Sequence, residues 1–194
     1  MVFFHFKGRI PLFPFLMIDT IFSSNNTDTI VTDTVIKWVP YVNGENLLDK
    51  FPKPEWKKIA SDIYSNEDFE DLISAYPQTI RCWVLQQNIN NSPCALVILI
   101  RNRKENCIYF HGGGWKKSVF NAYLYYRGVV LLIEYLLNKK IKVKTSCFED
   151  NDVAFRFIRS LGFVNYKNIS GKHLFWINKE RFYNSDIYNF ITTR

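Results

Sequence analysis

The stretch from Asn106 to Phe163 constrains the fold more than any other part of the chain. Its pattern predicts a strand ended by three glycines and a long apolar helix from Ser118 to about Asn138. A second strand from Ile141 to Phe148 follows, and then a short helix before Gly162. A strand, a helix and a strand within one sheet form a parallel pair joined by a right-handed crossover. Because phosphate-bearing ligands commonly bind where such a helix begins, the sequence predicts a ligand site there.

The second strand and the short helix have readable faces. Alternation along the strand predicts one buried face, made by Ile141, Val143 and Thr145. Asp150 or Asn151 is expected to cap the short helix. One face of that helix is predicted to be apolar, formed by Val153, Phe157 and Leu161. Gly162 suits the left-handed position just after the helix.

Composition favours one globular domain over residues 1–194, because the chain has 194 residues, of which 47% are hydrophobic. The net charge of +7 indicates a polyanionic partner: a phosphorylated cofactor, a nucleic acid or an anionic surface. Four cysteines without a CxxC pair are expected to be buried, reduced thiols, which suits a cytoplasmic protein. The three histidines show no ligand spacing, so we expect no metal site.

Two apolar segments are compared with a signal peptide and with a transmembrane helix. The first residues are interrupted by two prolines and Asp19, and no small-residue cleavage site follows, so we expect no signal peptide. The run from Val119 to Leu137 contains Arg127 and Glu134, which are costly inside a bilayer. We therefore expect this helix to be buried against a sheet and the protein to have no membrane partner.

The remaining segments predict further elements. Residues 1–45 are expected to form an N-terminal extension or extra strands, with a turn at Asn43-Gly44. Two helices are predicted between residues 55 and 76. Three antiparallel strands follow, at Thr79–Gln86, Cys94–Arg101 and Cys107–His111, and a hairpin around Ser170-Gly171 follows the short helix. The tail after residue 178 is either a short helix or an extension.

The segment N-D-V-A-F-R-F-I-R-S-L-G-F, Asn151 to Phe163, is similar to the motif N-x-x-A-x-x-x-Y-x-x-x-G-F of the GNAT superfamily of N-acetyltransferases. Together with the element order, the resemblance covers about residues 55–178. It implies an α/β (α+β) fold with a mixed, mostly antiparallel central sheet. A parallel pair of strands would lie at the cofactor cleft, with helices on both faces of the sheet.

The chain departs from the family pattern at two places. The cofactor loop of the family, Q/R-x-x-G-x-G/A, would fall on Lys116 to Asn121, where Val119 and Asn121 occupy the glycine places. Ile158 stands where many family members carry a tyrosine that protonates the leaving thiolate. Without that tyrosine, another donor or water must do this work.

Candidate site residues follow from the strand ends and from the resemblance. His111 is the first choice of general base, Tyr109 is a candidate proton donor on the same strand face, and Glu149 is a candidate for binding the amine. The resemblance implies a cofactor site made by Phe110, His111, Lys116, Lys117, Ser118, Val119, Phe120, Asn121 and Asn151. For each catalytic candidate the alternative is a packing or capping role, and for the lysines it is a solvated turn.

The resemblance implies an N-acyltransferase that uses acetyl-CoA or another acyl-CoA and transfers the acyl group to a primary amine of a small molecule or peptide. One alternative keeps the fold without catalysis, as a CoA-binding or interaction module. A second is a basic nucleic-acid-binding domain, which the scattered lysines disfavour. The N-terminal region, which the family core lacks, is expected to cover the acceptor side or to form a homodimer contact.

Overall fold

The computed structural model describes residues 21–22, 31–41, 79–114 and 119–193. Eight described strands form one sheet: β1 (Val31–Thr32), β2 (Ile36–Pro40), β3 (Ile80–Gln87), β4 (Pro93–Asn102), β5 (Cys107–Gly114), β6 (Lys142–Phe148), β7 (Val164–Ile169) and β8 (Lys172–Ile177). The helices are α1 (Val119–Asn138), α2 (Asp152–Ser160), α3 (Lys179–Tyr183) and α4 (Asp186–Thr192). The helices predicted between 55 and 76, the Asn43-Gly44 turn and Lys116 to Ser118 lie outside the described residues.

The strands lie in the order β1-β2-β3-β4-β5-β6-β8-β7. Every neighbouring pair is antiparallel except β5 and β6, which are parallel and are connected through α1. The mixed, mostly antiparallel sheet with one parallel pair is therefore confirmed. In the N-terminal region, expected to be an extension or extra strands, β1 and β2 form a hairpin that extends the sheet. Its turn is closed by Asp33, whose carboxylate accepts hydrogen bonds from the amides of Val35 and Ile36 at 2.7 and 2.8 Å.

Helix α1 packs along one face of the sheet, as its apolar composition predicts. Its core positions are fully buried: Leu124, Val129, Leu132, Ile133 and Leu136. Trp38 donates a hydrogen bond from Nε1 to the carbonyl of Gly128 at 2.8 Å, which ties the helix to β2. Arg127 pairs with Asp33, and Glu134 accepts a hydrogen bond from the Tyr188 hydroxyl at 3.3 Å. None of the helices described here is long and apolar enough to cross a membrane.

The structure corrects two local predictions and decides between the two candidate caps of α2. Strand β5 does not end before the glycines but continues through Gly112 to Gly114, which pair with Val97, Leu96 and Ala95 of β4. Asn151, not Asp150, caps α2, because its side chain accepts the amide hydrogen of Ala154 at 3.1 Å. Val153 is 60% exposed, whereas Ile158 and Leu161 form the buried face of that helix.

Other local predictions are confirmed. Gly162 has φ +89°, and Ser170 and Gly171 both have positive φ in the β7–β8 turn. The strand face of Ile141, Val143 and Thr145 is buried. The tail forms α3 and α4, capped by Asn178 and Ser185. All four cysteines are free and buried.

Candidate functional site

A gap between β5 and β6 is the main feature of the site. The two strands are hydrogen-bonded only from Cys107–Lys142 to Tyr109–Lys144. Strand β5 nevertheless continues to Gly114 and β6 to Phe148. Beyond Tyr109, therefore, β5 presents a strand edge to β6 without bonding to it. An unpaired strand edge offers backbone N–H and C=O groups to an extended ligand that carries amides.

Gly112 and Tyr125 lie together on the α1 side of this gap. A Cβ atom at Gly112 would stand 2.9 Å from the Leu96 carbonyl oxygen and 3.4 Å from the Tyr125 hydroxyl. Only glycine fits this position without displacing backbone, so its lack of a side chain keeps the strand open beside the hydroxyl. Tyr125 and Tyr126 both stack on Phe157 of α2, at centroid distances of 5.5 and 5.3 Å.

The Tyr125 hydroxyl is a buried polar group without a hydrogen-bond partner among the described residues. Tyr125 is 8% exposed. Burial, with a smaller contribution from Tyr126, raises the pKa of its hydroxyl well above the usual range, so the proton stays on the oxygen. An unpaired buried donor is costly, and such groups often mark ligand sites. The sequence contains N-A-Y-L-Y-Y but does not show which tyrosine faces the cleft.

Tyr109 and His111 lie on the opposite side of β5, as strand alternation predicts. Their rings stack with centroids 6.5 Å apart and an interplanar angle of 7°. Burial, followed by the charge of Lys172, lowers the pKa of His111 to about 4, so the imidazole is neutral at physiological pH. Burial, followed by the Tyr166 hydroxyl, raises the pKa of Tyr109, which keeps it protonated. The pair thus presents one proton acceptor and one proton donor.

Several cations surround this second side of the cleft. Lys144 pairs with Glu105 and donates to the Tyr166 hydroxyl at 3.3 Å, and its ammonium lies 6.0 Å from the centre of the Tyr109 ring. The Lys172 ammonium lies 4.4 Å from the centre of the Phe148 ring. The sequence did not single out either lysine, because the approach of Lys172 to His111 and of Lys144 to Tyr109 depends on how β5, β6 and β8 pair.

The start of α1 is suited to an anion. Helix N-termini present free amides and a partial positive charge, and the first turn of α1 contains no acidic residue that would neutralise it. The predicted cofactor residues Val119, Phe120 and Asn121 form this first turn. Lys116, Lys117 and Ser118 precede it and lie outside the described residues.

The remaining predicted residues lie on the β6 side of the gap. Asn151 uses Oδ1 to cap α2, while its Nδ2 has no hydrogen-bond partner within the described ranges. Its capping role therefore leaves a donor for a ligand. Glu149 is exposed in the turn after β6, and its backbone amide donates to Gly171, so the described contacts do not bring it to His111. Ile158 is buried in the apolar face of α2.

Within residues 21–22, 31–41, 79–114 and 119–193, no three histidine, cysteine or acidic side chains are grouped as a metal site would require. What the arrangement offers is a strand edge, a helix N-terminus and three proton-carrying side chains around one gap.

Comparison with known proteins identifies this architecture. No protein-family model matches the chain, and a search of the curated proteins finds no match. Solved structures do match over most of the chain, and they define the class: the chain has the fold of the GNAT acetyltransferases, so the resemblance is confirmed at the level of the fold.

Three of these structures illustrate the likeness. A GCN5-related N-acetyltransferase from Brucella melitensis has a TM-score of 0.61 at 10% identity, covering 84% of each chain. Spermidine N-acetyltransferase from Vibrio cholerae, solved with CoA and spermine, has a TM-score of 0.57 at 16% identity, covering 78% of this chain and 100% of that one. Mycobacterium smegmatis RimJ in complex with CoA-disulfide has a TM-score of 0.58 at 9% identity, covering 87% and 95%.

Proposed function

We propose that the protein is an acyl-CoA-dependent N-acyltransferase that transfers an acetyl group, or another acyl group, to a primary amine. The observation that carries this proposal is the separation of β5 from β6 beyond Tyr109, beside the start of α1. Two of the similar structures contain CoA or CoA-disulfide, and one of those also contains a polyamine. Both facts support a CoA donor and an amine acceptor.

The cofactor would lie along the open edge of β5. The amides of the pantetheine arm would bond to the backbone between His111 and Gly114 in place of β6, and the Nδ2 group of Asn151 would contact the arm from the other side. The pyrophosphate would bind the free amides at the start of α1, with charge added by Lys116 and Lys117. The missing side chain at Gly112 leaves room next to Tyr125.

The reaction needs one bond made and one broken. The neutral amine attacks the thioester carbonyl carbon, and backbone N–H groups of β5 stabilise the oxyanion that forms. His111 accepts the proton that leaves the nitrogen. Its lowered pKa makes it a weak base, so the amine has to enter the site already neutral. When the carbon–sulfur bond breaks, the Tyr125 hydroxyl donates a hydrogen bond to the departing thiolate. Tyr125 thereby takes over the role of the family's tyrosine, whose position is occupied here by Ile158.

Thiol release tests the proposal directly. All four cysteines are buried, and burial raises the pKa of the Cys107 thiol to about 11, so the folded protein contributes little thiolate of its own. We expect free CoA to appear with acetyl-CoA and a suitable primary amine, and His111→Gln to lower kcat by roughly 10²-fold. The absence of both CoA binding and turnover across a broad amine panel would refute the assignment.

A non-catalytic CoA-binding module is the second candidate, and Ile158 is the observation that favours it. Thermal unfolding separates the two functions. Acetyl-CoA at 100 times its Kd should add about 2.7 kcal/mol to the free energy of unfolding in either case. Stabilisation without any thiol release would identify the module, and salt-sensitive stabilisation by oligonucleotides alone would instead support nucleic-acid binding.

A further inference from the structure

We infer that the amine acceptor also carries an anionic group, a carboxylate or a phosphate, which binds at a basic end of the cavity beside His111. This inference rests on the proposed function, because it identifies the substrate class of the same site. It does not follow from the fold, since the similar structures include a spermidine acetyltransferase solved with a polycation.

The cavity extends along the side of the sheet that carries Tyr109 and His111. It has a volume of about 520 Å³, and it is lined at one end by these two rings and at the other by Asn102, Arg103 and Lys104. His111 lies opposite Ile98 on β4, and Asn102 lies four residues further along that strand. At about 3.4 Å per residue, the two ends are separated by about 14 Å. An acceptor with its amine at His111 therefore points its opposite end toward the β4–β5 turn, where long side chains that extend back along the cavity can meet it.

Among the described residues that line this cavity, the charged side chains are all cationic: Arg101, Arg103 and Lys104. Arg103 and Lys104 are exposed in the turn, where their side chains can reach back along the cavity. Glu105, in the same turn, is already paired with Lys144. At the other end, Lys172 is close enough to His111 to help lower the pKa of its imidazole.

The positive charge of these side chains disfavours a second cation on the acceptor and favours an anion. A diamine would place its distant ammonium beside Arg103 and Lys104, whereas a carboxylate or phosphate there forms charge-assisted hydrogen bonds. The same cations disfavour the protonated form of the reacting amine and lower its pKa. They thereby supply neutral nucleophile to a site whose histidine is a weak base.

A set of six-carbon amines with matched lengths tests the inference. The anionic members are 6-aminohexanoate and 6-aminohexyl phosphate, which distinguish the two sources of charge. The neutral member is 6-aminohexanamide, nearly isosteric with the carboxylate, and the cationic member is 1,6-diaminohexane. We expect kcat/KM for at least one anion to exceed that for the amide by about ten-fold or more, with the diamine poorest.

Matched variants locate the effect. The double variant Arg103→Gln, Lys104→Gln should lower the ratio of kcat/KM for the anion to kcat/KM for the amide by about ten-fold. The change should appear as a higher KM for the anion, with kcat retained. Lys167→Gln combined with Lys179→Gln removes the same charge from two exposed positions outside the cavity and should leave the preference unchanged. Loss of the preference in the control pair would show that net charge, not this site, produces it.

A binding measurement keeps the inference testable if turnover is slow. The acetylated products 6-acetamidohexanoate and 6-acetamidohexanamide can be titrated against the protein with CoA present, by ligand-observed NMR. Equal or tighter binding of the amide, or faster turnover of the diamine, would overturn the anionic acceptor and leave the acyltransferase proposal standing. Failure of CoA itself to bind would instead remove the proposed function, and the inference with it.

Discussion

At the residue scale, His111 and Tyr125 show what sequence reasoning could and could not find. His111 was predicted as the base because it ends a strand and titrates near neutral pH, and the structure places it beside the gap with its pKa lowered to about 4. Its role as a base stays a prediction. Tyr125 was missed because nothing in a run of three helical tyrosines marks the one whose hydroxyl meets Gly112. That contact depends on the separation of helix and strand.

The lowered pKa of His111 predicts a dependence of stability on pH. The unfolded imidazole has a pKa near 6.5 and the folded one about 4, so only the unfolded chain gains this proton between those values. The free energy of unfolding should therefore fall as the pH decreases from about 6.5 to about 4. His111→Gln should flatten this part of the curve in urea unfolding experiments. Identical pH slopes in the two proteins would contradict the buried, neutral histidine.

Tyr125→Phe separates catalysis from packing. Removing an unpaired buried hydroxyl should leave the free energy of unfolding unchanged or raise it slightly. The same change should lower kcat by about ten-fold or more with KM for the amine retained, because we propose that the hydroxyl donates a hydrogen bond to the departing thiolate.

Tyr126→Phe is the matched control for this change, since Tyr126 stacks on the same Phe157 ring. It should have no effect on kcat. Equal kcat values for the wild type and Tyr125→Phe would show that water or another group, not Tyr125, donates to the departing thiolate.

At the element scale, the sequence predicts the bounds of α1, β6 and α2 closely, from an apolar run for α1 and from alternation for β6. The prediction failed at β5, where the glycines were expected to end the strand and instead continue the ladder with β4. Glycine is a poor strand former on its own, and here pairing with a buried neighbour strand overrides that preference. The point at which β5 separates from β6 cannot be read from either strand, since it is a property of the pair.

Gly128→Ala tests the packing of α1 on β3. Alanine is favoured over glycine in a helix by about 1 kcal/mol. A Cβ atom here would, however, lie 2.6 Å from a methyl carbon of Leu85, which is fully buried. Overpacking should outweigh the helix preference and lower the free energy of unfolding by about 1–3 kcal/mol in denaturant titrations. A stabilised variant would show that the helix and the sheet are packed less tightly than described.

At the scale of the whole molecule, the order of elements together with the motif from Asn151 to Phe163 predicts a GNAT-like sheet, and the fold is confirmed. The distribution of charge was not predictable. The net charge of +7 indicates a polyanionic partner but does not show where on the protein it would bind. Tertiary structure brings Lys172 from β8 near His111 of β5, and places Arg103 and Lys104 at the far end of the same cavity. Residues distant in sequence thus make this side of the sheet basic, and no local sequence pattern encodes that.

The most direct test of the account is the structure of the protein in complex with CoA. We expect an extended pantetheine arm bonded to the backbone between His111 and Gly114, with the thiol near Tyr125 and the pyrophosphate at the amides that begin α1. A CoA molecule bound elsewhere, or β6 closed onto β5 through Gly114 with no room for the arm, would contradict it.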